Sequence, residues 1–143
     1  MAIGNLNSTS IDSLTIGQTC EEVLIVTKDW VQKFIELTGD YAPVHHSKDH
    51  AILMGYQDPI VHGLLIVSVF SRILGMFLPG PNTVIHQITN QMKAPVFIGD
   101  KLIYSVTVSR IISSVKTVQL ALKVTNQNGV LINNGEVTCL FRV

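Results

Sequence analysis

The chain has 143 residues, 47% of them hydrophobic and 14% charged, with ten Lys and Arg balanced by ten Asp and Glu. A net charge of zero leaves no electrostatic footprint for nucleic acid or an anionic membrane. Mean hydropathy of +0.39 on so few charges predicts apolar surface buried between subunits, most simply in a homodimer.

Read in chain order, the length fits one domain over residues 1–143, with residues 1–13, rich in Ser and Asn, as a loose arm. The opening MAIGNLNSTSIDS has no basic, apolar or Arg-rich leader pattern, so a cytoplasmic location is expected. Thr19 to Thr27 has strand composition. Trp30, Val31, Phe34 and Leu37 then recur at helical spacing, with Asp29 or Thr27 as cap and Gly39 as stop. A loop containing Pro43 follows, and Ser47 can cap one or two turns reaching Met54. The most apolar stretch, from Ile60 to Leu78, is interrupted by His62, Ser68, Ser71 and Arg72. It predicts a buried helix from about His62 to Phe77, ended by Pro79-Gly80-Pro81, and not a membrane span.

Everything beyond reads as strand: Thr83 to Lys93, Lys101 to Ile112, Val115 to Thr125 and Val130 to Val143. Asn133-Asn134-Gly135 in the last run predicts a bulge. Strands so close in sequence must be antiparallel, and a helix apolar nearly all round must be enclosed. The expected fold class is α+β, a curved antiparallel sheet wrapped around one long central helix. Cys20 and Cys139 lie in separate strands without a close-spaced motif and are expected to be reduced.

Two stretches can carry chemistry. In GDYAPVHH, Asp40 and His45 flank the stiffening Pro43. They read as a capped turn or as an acid/base pair, with one imidazole titrating near neutrality and one carboxylate beside it. His46 and His50 could share a helical face toward a metal, but Cys20, Cys139 and His86 supply no fitting third ligand, and no metal is expected. In DPIVHGLL, Gly63 opens the long helix, where amides lack partners. It serves either tight packing or an oxyanion. His62 faces the site or fills a packing gap, and Ser68 and Ser71 either line a pocket or bond back to the helix.

Taken in order, FIELTGDYAPVHHS, GYQDPIVHGLLIVSVFSRILG and KAPVFIGDKL resemble the MaoC-like, or R-specific enoyl-CoA hydratase, family. The resemblance runs from about Gly17 to the C-terminus and implies the hotdog fold. Phe34, Leu37, Gly39, Asp40, Pro43 and His45 stand at the positions of the family's hydratase motif. By that resemblance Asp40 and His45 are the catalytic pair, Gly63 gives the oxyanion amide and Ser71 lies beside the active site. His62 and Pro43, from their places in the two stretches, are expected to border the substrate with Ser71. Ala42 replaces the family's usual Asn, and Ser47 stands where Asp is common.

The implied reaction is reversible hydration of trans-2-enoyl-CoA to (3R)-3-hydroxyacyl-CoA. No cofactor is needed, because the thioester is the electron sink. An acyl-carrier-protein dehydratase, a hotdog thioesterase and a non-catalytic thioester-binding homologue are the competing readings.

Overall fold

The structure, a computed structural model, describes residues 10–143. Most of the expected arm, residues 1–9, therefore lies outside the described residues. Of its remainder, Ile11–Ser13 forms a 3-10 turn that delivers Leu14 into the core.

Strand β1 spans Thr19–Ile25 and leads into helix α1, Lys28–Thr38. Of the two candidate caps Thr27 does the work, its hydroxyl accepting the Trp30 N–H at 3.2 Å. Gly39 ends the helix in the left-handed region, φ 71°. The buried face of α1 is Val31 and Ile35, with Trp30 and Phe34 packed at its edge. Leu37, expected on that face, is 84% exposed. Two neighbouring stripes of this helix are apolar, and only packing decides between them.

The short helix α2, Lys48–Leu53, is capped by Ser47 as expected. Helix α3, Gly63–Met76, follows, then strands β2 (Thr83–Met92), β3 (Lys101–Ile112), β4 (Thr117–Thr125) and β5 (Leu131–Phe141). The five strands form one antiparallel sheet in the order β1-β3-β4-β5-β2. Together with the helix this is the α+β hotdog architecture.

Alternation sets the sheet's inner face: Leu102, Tyr104, Val106 and Val108 of β3, and Val118, Leu120, Leu122 and Val124 of β4, are all buried. Against them α3 turns Leu65, Ile66, Val69, Phe70, Ile73 and Leu74. Each such fully buried side chain stabilises the fold by roughly 1.5–3 kcal/mol. Tyr104 donates its hydroxyl to the Ile66 carbonyl at 2.8 Å and meets Phe70 edge-on. Burial raises its phenol well above the usual range.

Helix α3 is not enclosed all round, because Leu64, Ser68 and Ser71 form an exposed stripe. No helix of the described residues is long and apolar enough to cross a membrane.

The bulge expected at Asn133-Asn134-Gly135 falls one residue earlier. The β4–β5 register skips Ile132, whereas β2 and β5 pair without interruption from Asn133 to Gly135. Gly135 is needed for a different reason. A Cβ there would overlap the Thr89 carbonyl oxygen and lie 2.9 Å from its carbon. Cys20 and Cys139 are free thiols, and burial pushes the Cys139 thiol up to about 12.

Candidate active site

The loop after α1 is built by its own polar groups. Asp40 Oδ1 accepts the Ala42 N–H at 3.1 Å, an Asx turn that fixes the carboxylate. Pro43 then opens a 3-10 turn, Pro43–His45, and its carbonyl accepts the Ser47 N–H at 2.8 Å. Pro43 itself is exposed and shapes the turn from outside.

This loop is tied to the entry of α3. Ile60 donates its N–H to the Val44 carbonyl at 3.1 Å, and His45 Nδ1 lies 2.7 Å from the Ile60 carbonyl. A carbonyl can only accept, so in neutral His45 the hydrogen sits on Nδ1 and Nε2 is left as the basic nitrogen.

His62, the residue before α3, lies beneath this pair and is 2% exposed. Its Nε2 is 3.2 Å from the Asp40 carbonyl and 3.8 Å from Asp40 Oδ2. Its ring stacks on His45 with centroids 3.7 Å apart and planes inclined by 26°, and Phe34 packs tilted against it at 5.0 Å. Burial is the main cause that lowers the pKa of His62, so it is held neutral, donating from Nε2 to the Asp40 carbonyl. Its Nδ1 is buried without a partner.

Gly63 follows immediately, and its N–H, first in α3, has no acceptor within the helix. His45 and Gly63 line one cavity of about 270 Å³, together with Tyr56, Met92 and Lys93. Sequence reasoning passed over those last three, because a tyrosine in a loop and a methionine at a strand end carry no motif. Ser71 stands about two turns further along α3, exposed and outside this cavity's lining.

The metal question also changes residues. His46 is exposed and its Nε2 lies 3.0 Å from the Tyr41 carbonyl. The close group is instead Asp40, His45 and His62, with ligand atoms within 4.8 Å of one another. Two of its three members, the stacked rings of His45 and His62, lie in planes inclined by 26°. His45 and Gly63 line the cavity, and Asp40 stands beside His45 outside that lining. A basic nitrogen next to a carboxylate, with an amide on the same cavity, is suited to moving a proton next to a polarised carbonyl.

Residues 13–129 match the MaoC like domain. The chain is 32% identical over 127 residues to the (R)-specific enoyl-CoA hydratase of Aeromonas caviae, covering 89% of this chain and 95% of that protein. It is also 32% identical over 137 residues to the mitochondrial 3-hydroxyacyl-[acyl-carrier-protein] dehydratase FERN of Solanum lycopersicum, covering 94% and 82%. The solved structure of the (R)-hydratase from A. caviae superposes with a TM-score of 0.85 at 30% identity, covering 90% of this chain and 98% of that one. With the domain match spanning most of its length and the fold shared over 90% of it, the chain belongs to the MaoC-like family.

Proposed function

We propose that the protein is a hydro-lyase that reversibly hydrates trans-2-enoyl-CoA to (3R)-3-hydroxyacyl-CoA. The observation that carries the reading is the His45 tautomer: the Ile60 carbonyl holds Nδ1–H, which leaves Nε2 as a base beside Asp40 and Gly63. In the hydration direction the thioester carbonyl accepts the Gly63 N–H, which stabilises the enolate-like charge as water adds. Nε2 takes one proton from water while the C3–O bond forms and the C2=C3 π pair moves toward the carbonyl. Asp40 accepts the water's other hydrogen in a hydrogen bond and steadies the imidazolium. The proton on Nε2 is then delivered to C2, so one water is consumed and the pair returns to its starting state.

His62 serves as a positioning residue. Held neutral under the pair, it adds no positive charge that would oppose protonation of His45. Ala42 does not deprive Asp40 of its anchor, because the bond to Oδ1 comes from the backbone N–H.

A homodimer fits the surface. Edge strand β2 shows Val84, Ile85, Ile88 and Met92, each between 38% and 49% exposed, and α3 shows Leu64 at 72%. Pairing β2 with a second copy would cover both the open edge and the exposed stripe of α3. Two free thiols fit a reducing compartment, and we place the enzyme in the cytoplasm.

The test is loss of enoyl absorbance with crotonyl-CoA and chiral analysis of the product. Asp40→Asn and His45→Gln should each lower turnover by at least about two decades with the fold intact. Wild-type-like turnover in either variant would sink the mechanism. Crotonyl-acyl-carrier-protein assayed in parallel decides the carrier, a choice the tomato relative makes real. Release of free thiol would instead identify a thioesterase, and binding without absorbance loss a non-catalytic homologue.

A further inference from the structure

Met92 ends the edge strand β2 and is 49% exposed, so core packing does not fix its side chain. That side chain nevertheless lies directly against Gly63. A Cβ built on Gly63 would meet Met92 Cε at 3.1 Å, Sδ at 3.3 Å and Cγ at 3.4 Å. Gly63 thus has one face toward the thioether, and both residues line the cavity that holds His45.

A second residue holds the thioether there. Asn133 pairs with Met92 across the β2–β5 ladder and is fully buried. Its Nδ2 donates to the Gln91 carbonyl at 3.2 Å and to Met92 Sδ at 3.3 Å. The Gln91 carbonyl settles which way the amide points, because it can accept only from nitrogen. The orientation leaves Asn133 Oδ1 buried without a partner. A leucine would fill the same site with no unmet oxygen. A buried asparagine with half its amide unsatisfied asks for a reason, and the reason on view is its grip on Met92.

We propose that Met92, positioned by Asn133, is a specificity-determining residue whose thioether walls the cavity beside the Gly63 amide and excludes acyl thioesters branched at C2. The proposal rests on the reading that Gly63 N–H receives the thioester carbonyl. An oxygen held there at hydrogen-bond distance brings C2 into the space that the thioether borders. A straight chain passes a flexible, unbranched side chain, whereas a methyl on C2 needs the volume that Met92 occupies.

The experiment compares crotonyl-CoA, 2-methylcrotonyl-CoA and trans-2-octenoyl-CoA in wild type, Met92→Ala, Met92→Phe and Asn133→Leu. One misplaced methyl in an apolar pocket changes discrimination by about tenfold or more. Met92→Ala should therefore raise the 2-methylcrotonyl to crotonyl ratio of kcat/KM about tenfold, and Met92→Phe should lower it. Asn133→Leu, which frees the thioether without shortening it, should move the ratio the same way as Met92→Ala by a smaller factor.

A ratio in Met92→Ala within twofold of wild type overturns the proposal. So does a change seen only with octenoyl-CoA, which would place Met92 along the distal chain. Calorimetric binding of butyryl-CoA and 2-methylbutyryl-CoA to the same variants repeats the comparison without turnover. Failure to hydrate any enoyl thioester refutes the proposed function alone, whereas unchanged relative binding in Met92→Ala refutes the role of Met92.

Discussion

Replacing Gly63 by alanine separates the use of its amide from its place in the fold. The three atoms nearest to the added Cβ all belong to the Met92 side chain, at 3.1 to 3.4 Å, and the closest is the terminal methyl. The thioether can give by a few tenths of an ångström because half of Met92 faces outward. Gly63 does not occupy the left-handed region, so alanine is unstrained there. Alanine in a helix interior gains up to about 1 kcal/mol over glycine, and less in the first turn. Stability should therefore stay within about 0.5 kcal/mol of wild type.

Activity should not stay. The Cβ and the displaced thioether crowd the approach of a carbonyl oxygen to the Gly63 N–H. Loss of one oxyanion donor costs about two to three decades in turnover, near 2.7–4 kcal/mol of barrier. Chemical denaturation and the crotonyl-CoA absorbance assay on one preparation give both quantities. Turnover within threefold of wild type would refute the role of the amide. A loss of stability above about 2 kcal/mol would refute the claim that Met92 yields.

Two further outcomes follow from the same geometry. Gly135→Ala places a Cβ against backbone atoms of Thr89 and Asn90, which cannot rotate away, so the β2–β5 pair must open at Asn90 and Gly135. The expected cost is about 3 kcal/mol by denaturant midpoint, and a cost below about 1 kcal/mol would contradict the close approach. For His62, burial lowers the folded-state pKa below the ordinary 6.5, so the unfolded chain takes up its proton first. Its contribution is complete above about pH 6.5 and is lost as pH falls below it, by at most about 1.4 kcal/mol per pH unit. His62→Phe keeps a ring against His45 and should flatten the stability profile between pH 7 and 5; equal slopes would show that His62 does not titrate with folding.

Much of this was legible in the sequence because it depends on neighbours in the chain. The runs of Val, Ile and Thr give β3 at Lys101–Ile112 without error and β2 to within one residue. The Ser47 cap and the Gly39 stop are local chemistry, and both hold. What the sequence hides is which stripes and strands meet. Periodicity put Leu37 on the buried face of α1, although Ile35 takes that place. The Asn133-Asn134-Gly135 run reads as a bulge because its meaning lies in Thr89, on another strand.

The site divides in the same way. Asp40 and His45 share one loop and were visible as a pair. His62 joins them only because the Ile60 and Val44 backbones bind the α3 entry to that loop. The one signal pointing to it was its position directly before Gly63. Met92 needed the register Met92↔Asn133, which no local pattern encodes.

The strand order has a consequence for how the molecule is made. Strand β2 precedes β3 and β4 in the chain, yet its partner is β5, with Thr83 opposite Phe141 and Met92 opposite Asn133. During synthesis β3 and β4 can close on each other while β2 still has no strand to join. Its apolar residues stay unpaired until almost the last residue is available, which is when such chains are most prone to aggregate. The wall beside Gly63 is thus among the last parts assembled. A chain cut short before residue 131 would keep Asp40, His45 and Gly63 in its sequence and lack the strand that holds Met92 over them.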